Sequence, residues 1–365
     1  KLFSSIFLLI VLQAQSAMKY YSNLKIQNKK IPLILNFEDD NSLSIDTGSE
    51  VMKTTREGDQ FQIGNYDSFI KFKSRKETLR GYWIRKGKKY SITGSSIRTF
   101  TFNKERIKLP SSMRIDFNNK SGYLVFSDNH ASILTQTGDY RFLTPKLINN
   151  KLILTGFDGV FSFYIEGLIK DNKYTGTMYS KDGWTKPFKA YEDKSFKLKD
   201  LKRISQVQKS LLNKKLKNLD GQTKLIIQSG TPNIIQIFGS WCPNCIDEVK
   251  FLNNWRKENK SKIKFSLVAF ERGSTNKKSL KSLKKAIKIY NIQDDIFIGS
   301  LSADKSVIDI LPEIENFKAF PTTIFIDSKG EIKSILTGFS GPATGVFHQK
   351  YIKEFEKSVN QITDL

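Results

Sequence analysis

Cysteine and histidine are almost missing from this 365-residue chain, which holds two of each. A structural zinc site takes about four Cys or His ligands, and Cys242, Cys245, His130 and His348 do not share ligand spacing. No metal is therefore expected, and no framework of structural disulfides is available. Acidic residues are also short: 36 Asp plus Glu face 60 Lys plus Arg, a formal charge of +24 at pH 7. Such an excess invites a nucleic-acid or anionic-membrane partner. Yet the lysines are spread along the whole chain and arginines are few. No zinc-finger, RNP-like or basic-region pattern occurs either. The charge reads as a solvated lysine-rich surface, with no nucleic-acid partner and membrane contact at most peripheral.

Long apolar runs are absent too. Only Leu2 to Val11 and Leu12 form a sustained apolar core, which is short for a bilayer span and is followed by small residues, the shape of a secretory signal peptide over 1–17. Cleavage after Ser16 fits the small-x-small rule through Ala14 and Ser16, with Ala14 and Ala17 as alternatives. An uncleaved anchor is the other reading of the same segment. Either way the mature protein is expected outside the cytoplasm, in the periplasm, where a lone reactive cysteine pair suits the redox conditions.

Residues 18–192 are short alternating segments punctuated by turn residues, with candidate strands from Pro32–Phe37 through Thr78–Arg85 to Trp184–Tyr191, which argues an antiparallel all-β domain. The segment echoes itself at an offset of about 91–95 residues. Leu79-Arg80-Gly81-Tyr82-Trp83 matches Tyr174-Thr175-Gly176-Thr177-Met178, and Tyr66-Asp67-Ser68-Phe69 matches Phe157-Asp158-Gly159-Val160. Two similar meanders facing each other as a sandwich or closing as a barrel would remove exposed edges. No catalytic constellation stands out here, and Tyr82, Trp83, Phe163 and Trp184 read as core. Leu198, Leu201, Ile204, Leu211, Leu212, Leu216 and Leu219 among lysines suggest an amphipathic helical connector over 193–217.

Residues 218–365 alternate strand and helix. The apolar run Ile234–Phe238 has the composition of a buried strand and ends at Gly239-Ser240 beside Trp241. A helix should follow, because Cys245, Val249 and Leu252 recur at helical spacing and Pro243 is tolerated in a first turn. Cys242 then sits where the helix begins, and its free N–H groups and positive dipole end favour a thiolate. Cys242 and Cys245 are close enough to bond each other reversibly across one turn. An inert buried pair is the plain alternative.

Phe-Gly-Ser-Trp-Cys-Pro-Asn-Cys at 238–245, Ala-Phe-Glu-Arg at 269–272, Phe-Pro-Thr-Thr-Ile-Phe-Ile-Asp at 320–327 and Gly-Phe-Ser-Gly-Pro-Ala-Thr-Gly at 338–345 together resemble the TlpA/ResA-like thiol-disulfide oxidoreductases of the thioredoxin superfamily, over about residues 218–362. The β-rich part likewise resembles the N-terminal domain of some bacterial members. The resemblance implies an α/β thioredoxin-like fold with Cys242 and Cys245 as the redox pair. It implies a cis bond at Pro321, which X-Pro alone adopts at modest cost. It also implies a substrate groove along Trp241, Pro243, Phe320, Pro321, Gly338 and Phe339. Glu248 matches a family glutamate that tunes the thiols, whereas the buried aspartate of thioredoxins proper is replaced by Gln236.

The function this implies is an exported oxidoreductase that reduces disulfide-containing client proteins through Cys242 and Cys245. A membrane or soluble electron donor would restore it, and no cofactor beyond the Cys242–Cys245 disulfide is needed. Two alternatives stay open: a thiol peroxidase of the peroxiredoxin branch, and a noncatalytic protein whose β domain holds a ligand. The β domain carries no group able to do the chemistry, so its expected share is client binding, with the redox part working alone.

Overall fold

The computed structural model describes residues 18–38, 41–102, 107, 109–127, 129–199, 206–207, 210–259 and 262–363. The expected signal segment 1–17 lies outside the described residues. Eight antiparallel strands from Met18–Ile26 to Lys88–Ser95 form a closed barrel, each pairing with the next and the last pairing back onto the first through Leu24 and Ile92. Period-two patterning drives it: in Met18–Ile26 the side chains of Tyr20, Ser22, Leu24 and Ile26 point inward and their neighbours outward. Trp83 fills the interior, fully buried, and its indole N–H donates to Ser68 Oγ at 2.8 Å.

The echo of this barrel, from Ser112–Phe117 to Thr185–Tyr191, is a separate nine-stranded antiparallel sheet. Thr185–Tyr191 pairs back onto Ser112–Phe117 just as the eighth strand of the barrel pairs onto the first. Mutual backbone hydrogen bonds of 2.8 Å between Ala131 and Leu143 then curl the far side of the sheet onto itself. The all-β expectation holds, and the repeat has its reason in this closure. Each copy supplies its own returning strand, so the two copies roll up individually instead of sharing one sandwich. They meet where Phe157 of the second stands edge-on to Trp83 of the first, ring centroids 4.9 Å apart.

The C-terminal part is a seven-stranded sheet in the order Thr223–Leu225, Lys215–Asn218, Asp295–Ser300, Lys264–Phe270, Asn233–Phe238, Thr322–Ile326, Ile332–Thr337. Its central strands Asn233–Phe238, Lys264–Phe270 and Asp295–Ser300 are parallel, joined by crossover helices. Helices α1 (Pro243–Glu258), α2 (Asn276–Tyr290), α3 (Val307–Ile310) and α4 (Val346–Thr363) cover the sheet. This central βαβ unit, with an antiparallel hairpin after a cis proline, is the expected thioredoxin-like arrangement. Every residue of Asn233–Phe238 is buried, as a central parallel strand requires. Among the described residues no helix is long and apolar enough to cross a membrane.

The connector differs from the helix expected over 193–217. Where it is described, it is extended: Gln206–Val207 pairs with Ile314–Glu315, and Lys215–Asn218 joins the main sheet as its second strand. Leu201 and Ile204 lie outside the described residues. Leu211 is fully buried in the core with Ile226, Ile235 and Val268, and Leu212 and Leu216 pack on that core. This segment meets a sheet edge, and pairing with it satisfies backbone groups that a helix would have satisfied alone. The C-terminal domain therefore begins before residue 218. Leu211→Ala in the full chain is expected to cost about 2–5 kcal/mol of unfolding free energy, measured as a lower urea midpoint; an unchanged midpoint would place Leu211 outside the core.

Candidate active site

The site is built from the end of one strand and the start of one helix. Asn233–Phe238 delivers the chain to Gly239, where Cys242 N–H donates to Gly239 C=O at 3.0 Å and turns the backbone into α1. Trp241 is pinned by its indole N–H on Phe270 C=O at 2.8 Å. Ser240 is held on three sides: its N–H and hydroxyl each donate to the buried Glu271 carboxylate at 2.7 Å, and its carbonyl accepts from Asn65 Nδ2 at 2.7 Å.

Cys242 is the N-cap of α1 and Pro243 occupies its first turn. Cys242 Sγ accepts the Cys245 N–H at 3.2 Å, so an orphan helix donor is aimed at the sulfur that must carry negative charge on reduction. Cys242 and Cys245 form a disulfide, with Cα atoms 5.3 Å apart. Cys242 keeps 6% exposure and Cys245 none, so Cys242 is the more accessible sulfur of the pair. The Phe320–Pro321 bond is cis, and Phe320 and Trp241 pack on the same apolar cluster as both cysteines, their rings edge to face at 5.4 Å.

Glu248 lies behind the pair, fully buried on the Cys245 face of α1. Thr323 Oγ1 donates to its Oε1 at 2.9 Å, the Tyr351 hydroxyl donates to the same oxygen, and Gln236 Nε2 donates to Oε2. Gln236 Nε2 also reaches Cys245 C=O at 3.4 Å, so the residue that replaces the thioredoxin aspartate links the carboxyl to the redox helix. Burial pushes the Glu248 carboxyl up to about 7, against the pull of its three donors. A buried acid behind the cysteine pair is thereby placed where its charge changes near neutral pH. The family resemblance pointed to Glu248; Tyr351 and Thr323 were hidden, because a Tyr or Thr on an apolar face looks like core.

Two expected groove residues are placed otherwise. Phe339 is 1% exposed, stacked edge-on against Tyr351 with centroids 4.8 Å apart, because the apolar cluster between α1 and α4 offers it more burial than the surface does. Gly338 has φ +81°, and a Cβ there would lie 3.1 Å from the Thr137 carbonyl group of the β domain. That side of the groove is thus lined by the β domain itself. Asp139 Oδ2 accepts the Gly341 N–H at 2.6 Å, Asp139 C=O accepts Asn244 Nδ2 at 3.4 Å, and a Cβ at Gly138 would overlap Asn244.

Arg141 completes this docking. Its side chain is 11% exposed and its backbone left-handed, at φ +55°. Its Nε donates to Asp247 Oδ2 of α1 at 2.7 Å, and its other nitrogens lie 3.2 Å from Glu50 Oε1 and 3.5 Å from Asp158 Oδ2. One guanidinium therefore ties both β units to the cysteine-bearing helix. Burial pushes the Asp139 carboxyl up to about 6 although two backbone N–H groups bind it. None of Asn65, Asp139 or Arg141 was legible as a site residue in the sequence, where Asn65 lies between two candidate strands and Asp139 and Arg141 within one, Asp139–Phe142. The β domain, which the sequence reading left apart from the redox part, touches Ser240, Asn244, Asp247 and Gly341 around the pair. Among the described residues no three His, Cys, Asp or Glu side chains converge on a metal position.

Comparison with protein-family models finds no match, and comparison with curated proteins finds none either. Solved structures do match. The structural neighbours are thiol-disulfide oxidoreductases. StoA from Bacillus subtilis is 22% identical, spans 39% of this chain and 94% of its own, and has a TM-score of 0.28. A thiol-disulfide oxidoreductase from Bacteroides fragilis is 19% identical, spans 40% and 99%, and has a TM-score of 0.30. A putative thiol:disulfide interchange protein DsbE from Chlorobium tepidum is 14% identical, spans 42% and 98%, and has a TM-score of 0.32.

Glu248 keeps its proton up to about pH 7 in the fold, whereas an ordinary glutamate loses it near 4.5. The unfolded chain thus releases that proton first, and stability is lost as pH rises from about 4.5 to 7. Urea titrations should show the wild-type stability falling relative to Glu248→Gln by roughly 3 kcal/mol across that window; parallel curves would mean that the carboxyl is ionised throughout. Arg141→Met leaves Asp247, Glu50 and Asp158 without their shared cation. A loss of about 3–5 kcal/mol is expected, read by the same titration; a loss under ~1 kcal/mol, the range of an exposed pair, would show a solvated contact.

Proposed function

We propose that this protein is an exported thiol-disulfide oxidoreductase that reduces disulfides of client proteins. The observation that carries the reading is the placement of Cys242, the more exposed sulfur of a disulfide at a helix start, beside the cis Phe320–Pro321 turn and backed by a buried acid. In the reduced protein the Cys242 thiolate attacks one sulfur of the client disulfide, forming a Cys242–client bond and expelling the other client sulfur as a thiolate, which takes up a proton. Cys245 then attacks Cys242 Sγ and expels the second client thiolate. Two electrons pass from the enzyme dithiol to the client, and Cys242–Cys245 is left oxidised until a membrane or soluble dithiol donor reduces it.

Each group has a task in this sequence. The Cys245 N–H stabilises the Cys242 thiolate at the helix N-terminus. Glu248, whose carboxyl titrates near 7, takes in its ionised form the proton that Cys245 must lose before it attacks, while Gln236, Thr323 and Tyr351 hold the carboxylate in place. Trp241 and Phe320 present an apolar surface to the client. An oxidised client and a reduced enzyme are the starting state, and the periplasm is the compartment in which such clients accumulate.

The roles within the pair are testable by trapping. Cys245→Ser should accumulate mixed disulfides with client proteins on nonreducing gels and Cys242→Ser should accumulate none, while the wild type should reduce insulin with dithiothreitol as donor. Equal trapping by both variants would overturn the assignment of Cys242, and peroxide consumption without insulin reduction would favour a thiol peroxidase.

A further inference from the structure

With the Gly338 side of the groove taken by Thr137 and Asp139, a client must approach Cys242 from the opposite side. That side is a shelf of three half-buried aromatic rings, Trp241, Phe320 and Phe317, in which Phe317 meets Phe320 edge to face at 4.9 Å. Over the shelf lies the exposed Arg272, its guanidinium carbon 3.9 Å from the Trp241 ring centroid and 5.6 Å from that of Phe320. Stacking of this kind holds a guanidinium flat and leaves its N–H edge directed outward.

Among the described residues no hydrogen bond from that edge is present. Among the described residues Arg272 makes no ion pair, and the acid next to it in sequence, Glu271, is committed to Ser240. Arg272 is thus a charged, bidentate donor stacked on the ring of Trp241, the residue preceding the attacking cysteine. Its fixed plane matches a carboxylate, which accepts two parallel N–H bonds.

We propose that Arg272 is the residue by which this site selects clients, binding an Asp or Glu carboxylate that flanks the target disulfide cysteine while Trp241 and Phe320 cover the adjacent chain. This rests on the oxidoreductase reading above and names the substrate class for it: disulfides in acidic sequence. The overall charge of +24 draws acidic proteins to the whole surface, but a local reader differs from that background in one respect. It discriminates between peptides at the positions next to the cysteine, and a single substitution among 60 basic residues abolishes the discrimination.

The test uses the full reduced chain and three disulfide-cyclised peptides that differ only in the two residues flanking one cysteine: Glu, Gln or Lys. For each enzyme variant kcat/KM is measured on all three, and the Glu-to-Lys ratio is compared, so that any general loss of folded enzyme cancels. The wild type should favour the Glu peptide over the Gln peptide by about fivefold, the size of a single well-placed ion pair. Arg272→Gln should level the three rates and Arg272→Glu should reverse their order. Arg272→Lys, which keeps the charge but not the planar fork, should retain the order with a smaller ratio. A ratio unchanged in Arg272→Gln and Arg272→Glu would overturn the assignment while leaving the oxidoreductase reading intact; failure of the wild type to reduce any peptide would overturn both.

Discussion

The structure depends on one junction, where a fully buried strand becomes a helix within four residues and leaves Cys242 at the helix start. A strand end cannot hold a reactive sulfur still by itself. Here the turn is fixed by hydrogen bonds from every direction: Gly239 C=O on the Cys242 amide, Glu271 on Ser240, Phe270 C=O on the Trp241 ring, Asn65 on the Ser240 carbonyl. Because each bond is inside the fold, where competing water is scarce, the turn has little freedom left. The placement of Cys242 is thus fixed in advance, and for a reacting group little ordering would remain to be done at the moment of reaction.

Behind that junction the chemistry of protons is organised by burial. Glu248 accepts from Tyr351, Thr323 and Gln236, yet its carboxyl is held up near 7 because desolvation outweighs those three bonds. Tyr351, itself fully buried, is pushed upward as well, first by its own desolvation and then by the neighbouring carboxyl, so its hydroxyl stays a donor. The result is a single acid able to change its charge near neutrality within a cluster that otherwise stays neutral.

The β domain stands in a different relation to this centre than its composition suggested. Its two rolled sheets come from one repeated pattern, but the second copy carries the Thr137–Arg141 segment that lies against Gly338, Gly341, Asn244 and Asp247. The first copy reaches the site through Asn65 and, on α2, through Glu57 and Gln62, which both engage Lys285. A repeated scaffold thus packs against one side of the cysteine pair. On Trp241 stand Arg272 and, edge to face, Phe320, which Phe317 meets in turn.

Much of this was determined by the sequence alone. Period two in residues 18–191 and the run Ile234–Phe238 followed by apolar spacing at Cys245, Val249 and Leu252 fix strands and helix through local burial, which needs no knowledge of distant residues. The start of α1 at Pro243, directly after Cys242, agrees with the sequence reading for that reason. Cys242 and Cys245 were legible for the same reason, and Glu248 through the family resemblance, because all three lie close together along the chain. What only the tertiary structure decided are the relations between segments far apart in the chain. The leucines of 211–216 became strand and core because a sheet edge was free to receive them. Phe339 turned inward because α4 brings Tyr351 beneath it. Arg141 and Asp247 are 106 residues apart, and nothing about either marks the other as its partner. Periodicity reports which face of an element is buried; which other element buries it is set by packing and charge pairing across the whole molecule.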